Sequence, residues 1–484
     1  MDCSMTGASP ACGETWSQIN WLHVEQQVRR LQMRIAKAIQ QERYGKAKSL
    51  QWLLTHSRCA KLLAVKRVVQ NAGAKTPGVD GTVWSSPKEK VLAALSLQRR
   101  GYKAQPLRRI YIPKKNGKKR PLGIPTMKDR ALQALYLLAL EPVAEITADQ
   151  HSYGFRPKRS AADAIGQCFL VLSKKVSAQW ILEGDIKACF DDISHRWLMA
   201  NILTDKAMLK QWLAAGFIEK NAFYETEAGT PQGGIISPTL ANMTLDGLER
   251  VVSQASAKTD KMNVVRYADD FIITGKSRQV LEQKVKPAVI AFLAERGLTL
   301  SEEKTSITDI DQGFDFLGFN VRKYHGKLLI KPAKKSVKAF LGAMRALIKS
   351  NPTIKTASLI RLLNPKLRGW ANYYRHVVSK RTFSKVDAEM FKVLYRWTRR
   401  RHSNRGAKWL REKYFFHPAL GVWQFHVRTH GADNRLVFFK LFGVAKMKIQ
   451  RHVKIRAAAT PYDSAFITYF DQRKKRPRLL SQGW

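Results

Sequence analysis

The chain is short of acidic residues, of cysteine and of long apolar runs. Among 484 residues there are 37 Asp and Glu against 85 Lys and Arg, a formal charge of +48. Such a field repels itself in a compact fold unless counter-charge is supplied, so a polyanionic partner, nucleic acid first, is implied. The five cysteines, Cys3, Cys12, Cys59, Cys168 and Cys189, include no pair at CxxC spacing, and none lies beyond position 189. That excludes zinc fingers, zinc ribbons and disulfide scaffolds, and it suits a reducing compartment. No apolar run approaches the roughly 20 residues of a membrane span, so no membrane partner is expected. The first fifteen residues hold Asp2 and Glu14 and no cation, so they carry neither a secretory nor a transit pattern.

Apolar content is not lacking. Hydrophobic residues make up 45% and aromatics 10%, which excludes disorder as the main state. The length predicts about three or four modules. The positive charge is uneven: residues 361–484 hold 29 Lys and Arg against 6 Asp and Glu, a net of +23, among many Trp, Tyr and Phe. This reads as a folded basic module.

Val24, Val28, Leu31, Ile35 and Ala38 recur at helical spacing and predict one apolar stripe, with Arg29, Arg30, Arg34 and Lys37 on the wet face. A second helical stretch is expected over 46–71. Residues 107–125 alternate short apolar runs with a basic loop, and Asn116-Gly117 is a hairpin signal. A helix follows over 127–141, with Pro142 expected to help close it. Strands and helices then mix to about residue 325, which reads as α+β. Beyond Pro332 three amphipathic patterns follow, the second interrupted by Pro365. The last 84 residues show no clear period.

The chemistry concentrates in three segments. Val264–Gly275, VVRYADDFIITG, reads as a hairpin whose turn presents Asp269 and Asp270. Adjacent carboxylates repel unless a cation lies beside them. On its own an Asp-Asp pair fits a solvated turn better than a metal site. In WILEGDIKACFD a strand ends at Asp185, with Phe190 five residues on. A third carboxylate at a strand end completes the donor set of a two-ion phosphoryl-transfer site. AGTPQGGIISP supplies a glycine-rich turn holding Gln232, which can otherwise be a simple connecting loop.

Taken in order, these segments resemble a reverse transcriptase, and most closely a group II intron-encoded reverse transcriptase/maturase. LRRIYIPKKNGKKRPLGIPTMKDRALQAL (107–135) resembles the fingers, and YGFRPKRSAADAI (153–165) the next block. LEGDIKACFDDISHRWL (182–198), AGTPQGGIISPTLANM (228–243), VRYADDF (265–271), LTLSEEKT (298–305) and FDFLGFNV (314–321) follow in the family's order. LLNPKLRGWANYYRH (362–376) resembles the maturase signature.

The resemblance implies an α+β right-hand polymerase: fingers and palm with an antiparallel sheet, an α-helical thumb, and a basic helical C-terminal region. The implied domains are a helical RNA-binding extension (1–75), fingers and palm (76–325), thumb (326–400) and a DNA-binding region (401–484). Asp185, Asp269 and Asp270 become the catalytic carboxylates, holding two Mg²⁺ together with the Ile186 carbonyl. Lys114, Arg120 and Gln232 become nucleotide-binding residues, and Phe190 the steric gate against a 2′-hydroxyl. Lys304 fits a place near the primer or a place on the surface. Arg29, Arg30, Arg34, Lys366, Arg368, Arg375, Arg399, Arg400, Arg401 and Lys408 are candidates for RNA or DNA contact. Trp370, Tyr373 and Tyr374 fit packing better than base stacking. The implied partners are group II intron RNA, target DNA and dNTPs in the bacterial cytoplasm, beside the nucleoid; a homodimer is compatible. No HNH nuclease is expected, since its Cys pairs are missing. The alternatives are a domesticated, retron or CRISPR-type reverse transcriptase, or a splicing factor with a vestigial polymerase.

Overall fold

The computed structural model describes residues 16–479, apart from 114–116, 118, 221, 232, 417–422 and 431–435. Three helices, Trp21–Gln40, Tyr44–His56 and Arg58–Val69, lead the chain. The expected stripe is the packed face of the first: Val24, Val28, Ile35 and Ala38 are buried. The second expected stretch divides into two helices at Ser57. Ser57 is extended, and its Oγ accepts the Ala60 N–H at 3.2 Å, so it caps a new helix and breaks the old one.

These helices pack on Met127–Thr147, a helix buried along most of its length. It does not end near Pro142 as expected but runs through it. Proline has no N–H, so the carbonyl of Leu138, four residues earlier, loses its partner. Gln32 donates to that carbonyl at 2.8 Å, and Gln51 donates to the neighbouring Ala139 carbonyl at 3.2 Å. The leading helices therefore supply the hydrogen bonding that lets the helix continue.

The fingers sheet joins β1 (Leu107–Pro113), β2 (Lys119–Ile124), β4 (Phe217–Glu219) and β5 (Ala222–Tyr224) in the order β2-β1-β4-β5; β3 is Trp180–Lys187. The hairpin β1–β2 is the expected one, although Asn116 of its turn lies outside the described residues. The palm sheet is built on β3, flanked by the hairpin β6 (Asn263–Tyr267) and β7 (Asp270–Gly275) on one side. On the other side stand β8 (Thr299–Leu300) and β9 (Ser306–Asp309).

Successive residues of a strand face opposite sides of a sheet. Leu182, Val264, Phe271 and Ile273 enter a core shared with the leading helices. Ile181, Val265 and Ile272 enter a second core, shared with the thumb and the C-terminal region. Two covered faces explain why these strands read as continuous apolar runs.

A third sheet, β10 (Phe314–Phe316), β11 (Phe319–Tyr324) and β12 (Lys327–Pro332), leads to the thumb. The thumb helices are Lys334–Lys349, Thr356–Tyr374 and Lys380–Arg401; the second passes through Pro365. The C-terminal region is not helical throughout. After helix Ala407–Tyr414 it holds an antiparallel pair, β13 (His426–His430) and β14 (Leu436–Lys440). Asn364 of the thumb fixes this pair's exit: its amide donates to the Lys440 carbonyl at 3.0 Å and its oxygen accepts the Phe442 N–H at 2.7 Å. A long extended strap then returns to the palm and ends in helix Ile467–Leu479. Among the described residues no helix is long and apolar enough to cross a membrane.

Candidate active site

The β6–β7 turn is held from beneath. Arg266 is fully buried, ion-paired with Asp246, and donates to the Asn242 oxygen at 3.3 Å. The Asn242 amide in turn donates to the Gly154 carbonyl at 2.7 Å. A Cβ at Gly154 would stand 2.4 Å from the Ala268 nitrogen, so only glycine lets the 153–160 loop lie against the turn. Ala268 takes φ +58°, a left-handed conformation that favours glycine. This turn projects Asp269 and starts β7 at Asp270.

Register brings the third carboxylate alongside. Antiparallel pairing sets Asp185 of β3 directly opposite Asp270. Lys304 forks onto Asp185, 2.9 Å from each carboxylate oxygen, and that bond raises the lysine's own pKa. Asp270 is exposed at the start of β7. Lost hydration, then the charges of Asp269 and Asp185, push it up to about 6. Asp269 is raised as well, by burial first and by Asp185, with Arg120 and Lys304 opposing.

Three carboxylates at one point hold too little positive charge, and one lysine lies across them. This donor set fits a hard dication, which takes carboxylate oxygens and completes its shell with phosphate and water. Among the described residues no three His, Cys, Asp or Glu side chains already enclose an ion position, so the carboxylates alone are not a closed cage.

The floor beside them comes from the short helix Cys189–Asp192. Phe190 is half-buried there and meets Phe155 edge to face, with centroids 6.3 Å apart. The Phe190 carbonyl accepts the Thr230 N–H at 2.6 Å. A Cβ at Gly229 would stand 2.4 Å from the Asp191 carbonyl, so the glycine-rich loop is pressed onto this helix. Ile186 buries its side chain in the core while its backbone pairs with Leu300. Arg120 is exposed on β2, within electrostatic reach of Asp269. Lys114 and Gln232 lie outside the described residues.

Three family models match in order: "N-terminal domain of reverse transcriptase" over residues 16–97, "Reverse transcriptase (RNA-dependent DNA polymerase)" over 112–321, and "Group II intron, maturase-specific domain" over 337–415. The group II intron-encoded protein LtrA of Lactococcus lactis subsp. cremoris is 31% identical over 409 residues, covering 64% of this chain and 68% of that one. The chain belongs to the group II intron-encoded reverse transcriptase/maturase family. Protein YkfC of Escherichia coli K12 is 31% identical over 332 residues, covering 59% of this reverse transcriptase and 87% of that chain. A telomerase structure from Candida albicans, in complex with a telomeric RNA fragment, aligns at TM-score 0.37 and 14% identity over 62% of this chain and 59% of that one. Family membership makes this an RNA-directed DNA polymerase with RNA as a partner.

The remaining cations of this reverse transcriptase divide by setting. Arg29, Arg30 and Arg34 are exposed on the first helix. Lys366, Arg368, Arg399, Arg400 and Lys408 are exposed on the thumb and the helix after it; Arg368 lies 5.4 Å from the Phe442 ring centroid. Arg401 is partly occupied in packing: it donates to the Ile354 carbonyl at 2.6 Å and lies over Trp397. Arg375 is half-buried and bonds Asn372. Trp370 stacks on Phe340 at 4.8 Å, while Tyr373 and Tyr374 donate to the Leu317 and Gly318 carbonyls, so these rings pack.

Sequence reasoning assigned no roles within 153–165. Arg156 is buried in an ion pair with Glu145 at 2.8 Å, and Arg159 donates to the Ala457 carbonyl at 2.8 Å. Asp163 is fully buried and accepts from Ser160, His452, Arg473 and the Ile455 N–H. Arg159 and Asp163 anchor the C-terminal strap. Their partners lie about 300 positions away, and no local pattern announces them.

Proposed function

We propose that this reverse transcriptase extends a primer on an RNA template by adding dNTPs at Asp185, Asp269 and Asp270. The observation that carries this reading is the register that sets Asp185 opposite Asp270 beside the Asp269 turn, with a deficit of positive charge at that point. Two Mg²⁺ ions would be held by the three carboxylates and the Ile186 carbonyl. When bound, the ions neutralise phosphate charge and favour ionisation of the attacking hydroxyl.

The chain's own residues do the rest. Asp185 and Asp270 keep their carboxylates together through the ladder, and Ala268 points the turn at the cleft. Phe190, steadied by Phe155, occupies the floor where a ribose 2′-hydroxyl would lie and selects deoxynucleotides. Arg120, with Lys114 and Gln232, holds the triphosphate; a guanidinium fork suits phosphate oxygens. Lys304 holds Asp185 in place until phosphate and metal arrive.

As a maturase the chain grips its intron RNA through the leading helices and thumb, and supports splicing and reverse splicing by the RNA. The basic region after the thumb holds target DNA by its backbone, and cDNA synthesis starts from the cut target. A DNA target places the complex at the nucleoid of a bacterial cytoplasm. The maturase-domain match over 337–415 favours this over a retron or CRISPR-type role. Primer extension on an RNA template, with Mg²⁺ titrated, is the test. dNTP incorporation that Asp269→Asn abolishes while RNA binding persists supports the reading. No incorporation by a wild type that still promotes splicing overturns the polymerase claim in favour of the splicing-factor alternative.

A further inference from the structure

Three glycines of the glycine-rich loop each lie against a different element. Gly229 is pressed onto the short helix Cys189–Asp192, which carries Phe190. A Cβ at Gly233 would stand 2.5 Å from the Gly123 carbonyl oxygen, so the loop also lies on β2, the fingers strand that carries Arg120. A Cβ at Gly234 would stand 3.0 Å from Gln133 Oε1 and 2.6 Å from Ser237 Oγ, which sets the loop against helix Met127–Thr147. The loop is thus a wedge between the floor of the site and the fingers.

Hydrogen bonds hold this wedge at both ends. At its start the Gly229 N–H donates to the Ile193 carbonyl at 2.8 Å, and the Gly229 carbonyl accepts from His195 Nε2 at 2.8 Å. In its middle the Gly234 N–H donates to the Pro231 carbonyl at 2.9 Å and closes a turn. At its exit the Ile235 N–H donates to Gln133 Oε1 at 2.9 Å.

Gln133 is buried on the helix that joins fingers to palm. The buried polar residues one turn earlier are spent on the fold itself. Asp129 accepts from Tyr102 at 2.6 Å and from Thr126 at 2.7 Å, and Arg130 donates to the Pro125 and Gly73 carbonyls at 2.9 and 3.0 Å. Gln133 turns its oxygen to the loop instead. A half-buried backbone N–H that loses its acceptor must reach water or move, and here moving means a shift of the loop exit beside Gly233 and Gly234.

We propose that Gln133 is a positioning residue for nucleotide selection. By holding the Ile235 N–H it fixes the wedge, and the wedge sets the spacing between β2, with Arg120, and the floor, with Phe190. Gln133 itself touches neither the nucleotide nor the metal. This role rests on the reading of Phe190 as the sugar gate and Arg120 as a phosphate holder.

The test is single-nucleotide primer extension on an RNA template by the full chain, with dNTP and rNTP titrated separately. Gln133→Leu keeps the bulk and removes the acceptor. It is expected to raise KM for dNTP about tenfold, to change kcat by less than about threefold and to narrow the preference for dNTP over rNTP. Primer–template binding measured without nucleotide should stay unchanged. Gln133→Glu keeps an acceptor oxygen and should restore KM and sugar preference. Gly234→Ala pushes the loop from its other side, leaves the helix untouched and should reproduce the KM shift, so the test survives if Gln133→Leu does not fold. A Gln133→Leu enzyme that loses kcat and primer–template binding together, a Gln133→Glu enzyme no better than it, or an unchanged KM in Gly234→Ala overturns the positioning role and leaves Gln133 a fold residue. Phe190→Ala run alongside separates the two readings: unchanged sugar preference there removes the gate, and the role of Gln133 with it.

Discussion

Two groups of aspartates lie in the palm, and the structure gives them opposite electrostatics. Asp270 stands with Asp269 and Asp185, and lost hydration plus two like charges push it up to about 6. Asp163 is more deeply buried, yet it is held down at about 2. Its burial alone would raise it; the bonds from His452, Ser160 and the Ile455 backbone outweigh that. The same side chain is thus frustrated in one place and satisfied in the other. A satisfied buried acid is a structural fastener. An acid crowded by its own kind is an incomplete site awaiting a cation.

The largest expected contrast is catalytic. Asp269→Asn should lower primer extension by about a thousandfold or more, since each charge-stabilising group in such a site contributes on that order. The same variant should melt no lower than wild type in Mg²⁺-free buffer, because it relieves repulsion. Loss of stability in a thermal melt would show that Asp269 is a fastener after all. Asp163→Asn should do the reverse. It leaves Arg473 and His452 facing an uncharged amide and should destabilise the fold by about 3 kcal/mol, read by calorimetry. Limited proteolysis of that variant should cut the strap between 447 and 466 first.

pH should separate the two groups by sign. Asp163 binds its proton more weakly folded than unfolded, so its stabilisation is present above the ordinary carboxylate value near 3.8 and is lost as pH falls towards about 2. Asp270 binds its proton more tightly when folded, so without metal its ionisation opposes folding above about 6 and that penalty fades as pH falls below it. Mg²⁺ should move the Asp270 titration down and leave that of Asp163 alone, which carboxylate infrared or NMR titration can follow. The smallest effect concerns the floor. Phe190→Ala should raise ribonucleotide incorporation, and Phe155→Ala should do so more weakly, because Phe155 acts by steadying the other ring. Equal sugar discrimination in wild type and Phe190→Ala would remove the gate assignment.

The two aspartate groups also differ in legibility. Asp185, Asp269 and Asp270 were readable because each sits in a short apolar–acid–apolar pattern whose meaning is local. The stretch 46–71 was expected as one helix because a helical pattern runs on past Ser57, and the bond from Ala60 shows the break. The helix through Pro142 was cut short because the donors that rescue it, Gln32 and Gln51, belong to other helices. The pair β13 and β14 was hidden because its strands, HVRTH and LVFFK, are five residues each and too short to show a period.

By itself the sequence determined the family, the right-hand architecture and the excess of positive charge, and it named the three carboxylates that strand register brings together. Each of these depends on local pattern or on summed charge, which folding does not change. Only the tertiary structure decided which charges are free. Arg156, Arg159 and Arg473 count as plain cations in a composition, but the fold consumes them in internal bonds. Arg375, which bonds the neutral Asn372, and the exposed Arg451 pair with no acid among the described residues. The reason is physical: a charge is neutralised within a few ångströms, and chain order does not say which groups, hundreds of positions apart, will come that close.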